Sequence, residues 1–120
     1  MNNIKQDLPK YKIYLPSGVR FHPNLHQGAK LLLGEIACLS VKNGFCFATN
    51  SFFAKIYGVH NRTISEWIRN LKTEKLIKIQ HIKSKSTNCD ERRIFINRGN
   101  PAVADFFATQ GKKILYSCEE

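Results

Sequence analysis

The sequence predicts a small α+β domain in which three helices form the core and a short antiparallel sheet follows them. The first observation is a pair of amphipathic segments between residues 51 and 71 that meet at Gly58, where glycine can adopt the left-handed conformation that ends a helix. The second is strand-like alternation over residues 76–83 and 92–98, separated by a polar loop. A helix pair followed directly by a basic hairpin is the order of a winged helix-turn-helix, which is therefore the predicted fold.

Length and charge limit the function. A chain of 120 residues suits one domain with its own core, and the net charge of +10 is large for that size. Between Lys55 and Arg98 there are eleven Lys or Arg and four Asp or Glu, so this segment carries +7. A basic domain of this kind favours an anionic partner, most often nucleic acid, although charge that only aids solubility is an alternative.

The first part of the chain predicts a flexible terminus, a strand and a helix. Residues 1–10 are polar, and Tyr11–Leu15 alternates as a short strand that ends at a Pro-Ser-Gly turn. Val19–Gln27 should be a connection, with Leu25 on the core. Gly28–Lys42 should be the first full helix, ended by an Asn-Gly pair, with Glu35 off the centre of its apolar face. That face has helical spacing and comprises Ala29, Leu32, Leu33, Ile36 and Leu39.

The two helices that meet at Gly58 should bury one face and expose the other. Phe53 in the first segment and Ile64 and Ile68 in the second lie on the expected seam, and Ala54 is small enough for a close crossing. The opposite side of the second helix presents donors and acceptors of the kind that a DNA-reading helix exposes. These side chains are His60, Asn61, Arg62, Ser65, Glu66 and Arg69.

The chain also resembles a known family between about Tyr11 and Asn97. The runs GAKLLLGEI, GFCFATN and YGVHNRTISEWI are similar to motifs in the winged-helix domains of phage and plasmid replication initiators and replisome organisers. His60 stands where the family usually has Ser, and Lys75-Leu76 stands where a Gly-aromatic pair is common. The resemblance implies DNA binding in mobile-element replication or its control. It also implies that the strand near Tyr11 pairs beside the wing in a three-stranded sheet.

Roles in DNA binding follow from side-chain chemistry. Asn61 and Arg62 are the candidates for base contacts, because Asn can grip adenine and Arg can grip guanine in the major groove. Arg69, two turns on, should reach phosphate. Glu66 either accepts from cytosine or orients an arginine, or it forms an ordinary ion pair with Arg62 four residues away. Basic side chains of the wing should contact phosphate or enter the minor groove, unless they form a solvated hairpin tip; they are Lys83, Lys85, Arg92 and Arg93.

Other chemistry has little support in the sequence. Phe52, Phe53, Tyr57 and Trp67 are interpreted as core residues, since a base-stacking platform needs rings on an exposed sheet. Histidines at positions 22 and 26 have metal-ligand spacing, but Pro23 lies between them and no third ligand is near. No phosphate-binding loop or nucleophile motif is present. We expect no enzyme activity, no cofactor and no metal.

Partners and location complete the expectations. Residues 99–120 should form a short C-terminal helix, which has an apolar side, and a tail; the helix should cover the domain's own core or pair with a second protomer in a homodimer. Four scattered cysteines without a CxxC pair, and no apolar run long enough to cross a membrane, favour a cytoplasmic protein. The expected partner is double-stranded DNA, with replication proteins as further partners. A transcriptional repressor of a mobile element, or a protein-docking module that inhibits a host enzyme, is the alternative function.

Overall fold

A computed structural model describes residues 10–83 and 90–108, and it confirms the predicted winged helix-turn-helix fold. The predicted flexible residues 1–9, Lys85 in the hairpin loop and the tail from residue 109 lie outside the described residues. The elements are helices α1 (Ser17–Arg20), α2 (Gln27–Leu39), α3 (Asn50–Tyr57) and α4 (Asn61–Thr73), strands β1 (Ile77–Lys83) and β2 (Asp90–Ile96), a 3-10 turn (Pro101–Val103) and α5 (Asp105–Ala108).

The helix-turn-helix pair forms as its spacing predicts. Thr49 caps α3 by accepting a hydrogen bond from the backbone N–H of Phe52. Gly58 ends α3 with φ of 67°, a left-handed conformation that permits the sharp turn into α4. Phe53 and Ile64 are fully buried at the crossing, whereas Phe52, which was predicted to be in the core, is 39% exposed.

α2 completes the three-helix core and fixes the position of α4. Its predicted stripe is buried except for Leu39, which is partly exposed. A Cβ atom at Gly28 would lie 2.1 Å from the Trp67 ring, so only glycine allows α4 to approach this closely. The helix ends at Leu39 rather than Lys42: the backbone N–H groups of Ser40 and Val41 bond to carbonyls three residues back, and the Ser40 hydroxyl donates to the Ile36 carbonyl.

The prediction for the N-terminal segment is wrong in two respects. Residues 11–15 form no strand; they lie along α2, where Gly34 leaves room for Ile13 and Leu15. An extended segment that packs on a helix can show the same alternation as a strand, which explains the error. The predicted connection after residue 19 also overlaps the one-turn helix α1, whose Val19 is fully buried.

The sheet takes its third member from a different part of the chain. Strands β1 and β2 pair in antiparallel register, with Ile77 opposite Ile96 and Lys83 opposite Asp90, so β2 begins and ends two residues earlier than predicted. Cys46 exchanges two backbone hydrogen bonds with Ile94, of 2.9 and 2.8 Å. The segment at residues 45–47 therefore occupies the edge that the resemblance assigned to residues 11–15.

A buried carboxylate joins α2 to α3 and to the N-terminal segment. Glu35 was expected off the centre of the apolar face of α2, and it is only 6% exposed. Its oxygens accept hydrogen bonds from the hydroxyls of Tyr11 and Tyr57, the latter at 2.7 Å. Burial, together with the charge of Glu35 and the hydrogen bonds to it, raises the pKa of both tyrosines above the ordinary value of 10.0.

The C-terminal segment covers the domain's own core. The predicted helix begins as a 3-10 turn and continues as α5 after a break at Ala104. Val103 and Phe106 are buried, and Phe106 contacts the Tyr14 ring edge-on at 6.3 Å. The segment was expected to cover the domain's own core or to pair with a second protomer, and burial of Val103 and Phe106 within the chain agrees with the first of these roles.

Candidate nucleic-acid interface

The exposed face of α4 is held in place by the residues on its opposite side. Ile64, Ile68 and Leu71 are buried, and Trp67 packs against Gly28 and meets the Tyr57 ring edge-on at 6.1 Å. All six side chains predicted to read DNA are exposed and lie together along the first three turns; they are His60, Asn61, Arg62, Ser65, Glu66 and Arg69. The structure therefore gathers the predicted recognition residues on one accessible surface.

One stripe of this face is unengaged. Arg62, Glu66 and Arg69 follow one another at helical spacing of four and three, and they form no hydrogen bond or ion pair with any described residue. The ordinary ion pair between Arg62 and Glu66 is thus not formed in this structure. A free guanidinium on an exposed helix face is available for a guanine edge or a phosphate.

A second stripe of α4 is tied to the start of α3. The Asn61 side-chain amide donates to the Ser51 hydroxyl at 3.3 Å, and Ser65 accepts from the side-chain amide of Asn50 at 2.9 Å. These bonds cross the turn of the helix-turn-helix, so they fix the angle between the recognition helix and the N-terminus of α3. The bond to Ser51 uses one of the two N–H donors of the Asn61 amide.

Arg92 extends this hydrogen-bonded chain to the wing. Its guanidinium donates to Asn50 Oδ1 at 2.7 Å and to the Ala48 carbonyl at 2.8 Å. The side chain is partly buried, and loss of water there lowers its pKa from the ordinary value, although Arg remains charged. Through these two bonds Arg92 holds the wing against α3, and the phosphate contact predicted for it stays a prediction. The geometry gives it a positioning role.

The remaining described cations of the wing point to opposite sides. Side chains alternate along a strand, so Lys83 shares a sheet face with Arg92 and His81, and this face continues toward α3 and α4. Arg93 lies on the other face, where it pairs with Glu91 at 2.9 Å and stacks over the Phe45 ring at 4.6 Å. Lys83 is exposed on the face that continues toward α3, whereas Arg93 lies on the opposite face; the phosphate contacts predicted for both stay predictions.

Sequence reasoning missed three polar residues of this surface. None of them was assigned to this surface from the sequence; they are Asn50, Ser51 and His81. A signal did exist for His81, because its strand register relative to Ile77 and Ile79 places it on the same face. The two histidines with metal-ligand spacing make separate contacts: His22 lies 3.8 Å from Glu74, and the His26 backbone N–H donates to the Asn70 side chain. In the described ranges no group of three or more His, Cys, Asp or Glu could hold a metal ion.

Comparison with known proteins agrees with the geometry. Residues 24–77, from the loop before α2 to the first residue of β1, match the family model described as a helix-turn-helix domain. The fold and this match thus identify a helix-turn-helix domain, and a domain of this class supports DNA binding. Searches of curated proteins and of solved structures give no match. Within the described residues, no helix has both the length and the apolar character needed to cross a membrane.

Proposed function

We propose that this protein reads double-stranded DNA with the exposed face of α4 and works in the replication of a phage or plasmid, or in the regulation of that replication. The observation that supports the DNA-binding part is the unengaged stripe of Arg62, Glu66 and Arg69 on a helix whose other side is buried. The biological context rests on the family resemblance of the sequence motifs.

In the proposed complex α4 enters the major groove with its N-terminal turns first. Arg62 then grips a guanine edge, while Glu66 accepts from a cytosine amino group or orients Arg62. Arg69 and Lys83 contact the phosphates on either side of the groove, as basic residues do when they set the register of a DNA-binding domain. Arg92 stays bonded to Asn50 and keeps the wing at the distance from α4 that this docking needs.

The test begins with a selection of bound fragments from a random duplex pool, followed by fluorescence anisotropy titrations on a selected duplex. Arg62→Ala should weaken binding about 5-fold to 150-fold, the equivalent of roughly 1–3 kcal/mol, and remove the preference at one base position. Lys83→Ala should weaken all duplexes alike. Lys12→Ala removes one charge from an exposed residue of the segment that packs on α2, and it serves as the matched control.

Salt dependence and mass separate this function from the alternatives. A duplex reader should show a log–log slope of affinity against salt of about −0.9 for each phosphate neutralised. A repressor would form a stable dimer in solution and select a palindromic site. A protein-docking module would bind DNA weakly and without sequence preference. Equal affinity of the Arg62→Ala and wild-type proteins for the selected duplex would reject the proposal.

A further inference from the structure

The outer face of the sheet carries a group of aromatic and basic side chains that the duplex-binding surface does not use. Cys46 and Ile94 point into the core, so their chain neighbours point outward by the alternation of extended backbone. The segment at residues 45–47, β2 and β1 lie side by side in that order. We call this surface the outer sheet face; it comprises Phe45, Phe47, Lys78, Gln80, Ile82, Glu91, Arg93 and Phe95.

The rings of the outer sheet face form a continuous cluster. The Phe45 ring centroid lies 5.5 Å from that of Phe95 and 6.3 Å from that of Phe47. Arg93 lies over the Phe45 ring at 4.6 Å, and Lys78 is the cross-strand partner of Phe95. Phe47 is 57% exposed, so the face of its ring is accessible to a ligand. Three aromatic rings thus share an open sheet face with two cations and one carboxylate, Glu91, which is bonded to Arg93.

We propose that the outer sheet face binds single-stranded nucleic acid, with unpaired bases stacked on Phe47 and the neighbouring rings and phosphates held by Lys78 and Arg93. Proteins that bind single strands combine these two features, because every base offers a flat face and every linkage carries a negative charge. Duplex DNA does not suit this surface, since its bases are already stacked on one another. The site is separate from the face of α4, so it adds a second function to the one proposed above.

Charge argues against a second copy of the chain as the occupant. The cores of protein–protein interfaces are depleted of charged residues, whereas Arg93 and Lys78 border the rings here. Two chains that each carry +10 also repel one another when their basic faces meet. A polyanion with exposed bases complements both the rings and the cations of this surface.

The experiment compares Phe47→Ala with Phe21→Ala by anisotropy on a labelled oligothymidylate of about 15 nucleotides and on the selected duplex. Phe21 is a matched control because it is 69% exposed and its ring also lies 4.6 Å from an arginine, Arg20, but it is next to α1. Phe47→Ala should weaken oligothymidylate binding about 5-fold to 150-fold, the range for loss of one stacked base, and leave duplex binding unchanged. Phe47→Trp should restore binding, and its fluorescence should be quenched by the oligonucleotide.

Each outcome decides for or against the site. Unchanged oligothymidylate affinity of Phe47→Ala, or an equal loss with Phe21→Ala, would overturn the proposal. Conversion of a dimer to a monomer by Phe47→Ala, measured by sedimentation with no loss of oligonucleotide binding, would assign the surface to a second copy instead. Arg62→Ala should change binding of the duplex only, and Phe47→Ala should change binding of the oligothymidylate only. Each proposal can therefore fail while the other stands.

Discussion

Removal of the Arg92 side chain tests whether the wing is fastened to the helix-turn-helix by a specific polar contact. Arg92→Ala deletes the hydrogen bonds of 2.7 and 2.8 Å to Asn50 and Ala48. Each hydrogen bond from a charged donor contributes roughly 1.5–3 kcal/mol. Two effects offset part of this loss of stability. Water can bond to the partly exposed oxygens of Asn50 and Ala48 in place of the guanidinium, and the variant no longer has a charge that folding removes from water. We expect a net loss of about 2 kcal/mol.

A double-mutant cycle isolates the contact. Urea unfolding followed by Trp67 fluorescence gives the free energy of unfolding of Arg92→Ala, Asn50→Ala and the double variant. The coupling energy between the two positions should be about 1–2 kcal/mol, whereas residues without a shared contact are additive within about 0.5 kcal/mol. The matched control cycle pairs Asn50→Ala with Arg93→Ala, because Arg93 lies on the opposite sheet face. Equal coupling in the two cycles would refute the positioning role of Arg92.

Two further predictions concern the core. Gly28→Ala should lower the free energy of unfolding by about 1–3 kcal/mol, because the added methyl group would meet the Trp67 ring. Gly99→Ala is the control, because a methyl group has room there. Equal urea midpoints for the two variants would contradict the close approach of α4 to Gly28. Stability should also fall above about pH 10: the pKa values of Tyr11 and Tyr57 are raised in the folded state, so the unfolded chain loses these protons first and is favoured as pH rises. Melting temperatures between pH 8 and 11 should fall less steeply for Tyr57→Phe, and identical slopes would show that Tyr57 is not responsible.

The helix-turn-helix was predictable because its signals are local. The apolar spacing of Phe53, Ile64 and Ile68, and the glycine at position 58, each determine the same geometry without reference to distant residues. The turn that follows α4 is also set locally: Lys75 adopts a left-handed φ of 64° at a position where the resembled family commonly has glycine. The backbone therefore keeps the left-handed turn even though the side chain there is less suited to it.

The errors arose where long-range contacts decide. Alternation alone could not show whether residues 11–15 pair with a sheet or pack on α2. Burial of the Glu35 carboxylate was equally hidden, because the tyrosines that bond to it come from other parts of the chain. Strand alternation, which is a local signal, sends the arginines at positions 92 and 93 to opposite faces, and the prediction of one shared role for them did not use it. One faces the helices and positions the wing, and the other forms part of the outer sheet face.

The central claim is that the exposed face of α4 contacts duplex DNA, and amide chemical shifts in a duplex titration test it most directly. In a ¹⁵N-labelled sample, the largest shift changes should map to residues 60–69 and to Lys83, and the same peaks should move less in Arg62→Ala at equal duplex concentration. Unchanged peaks for residues 60–69, with the largest changes on α2 or on the outer sheet face, would contradict the account.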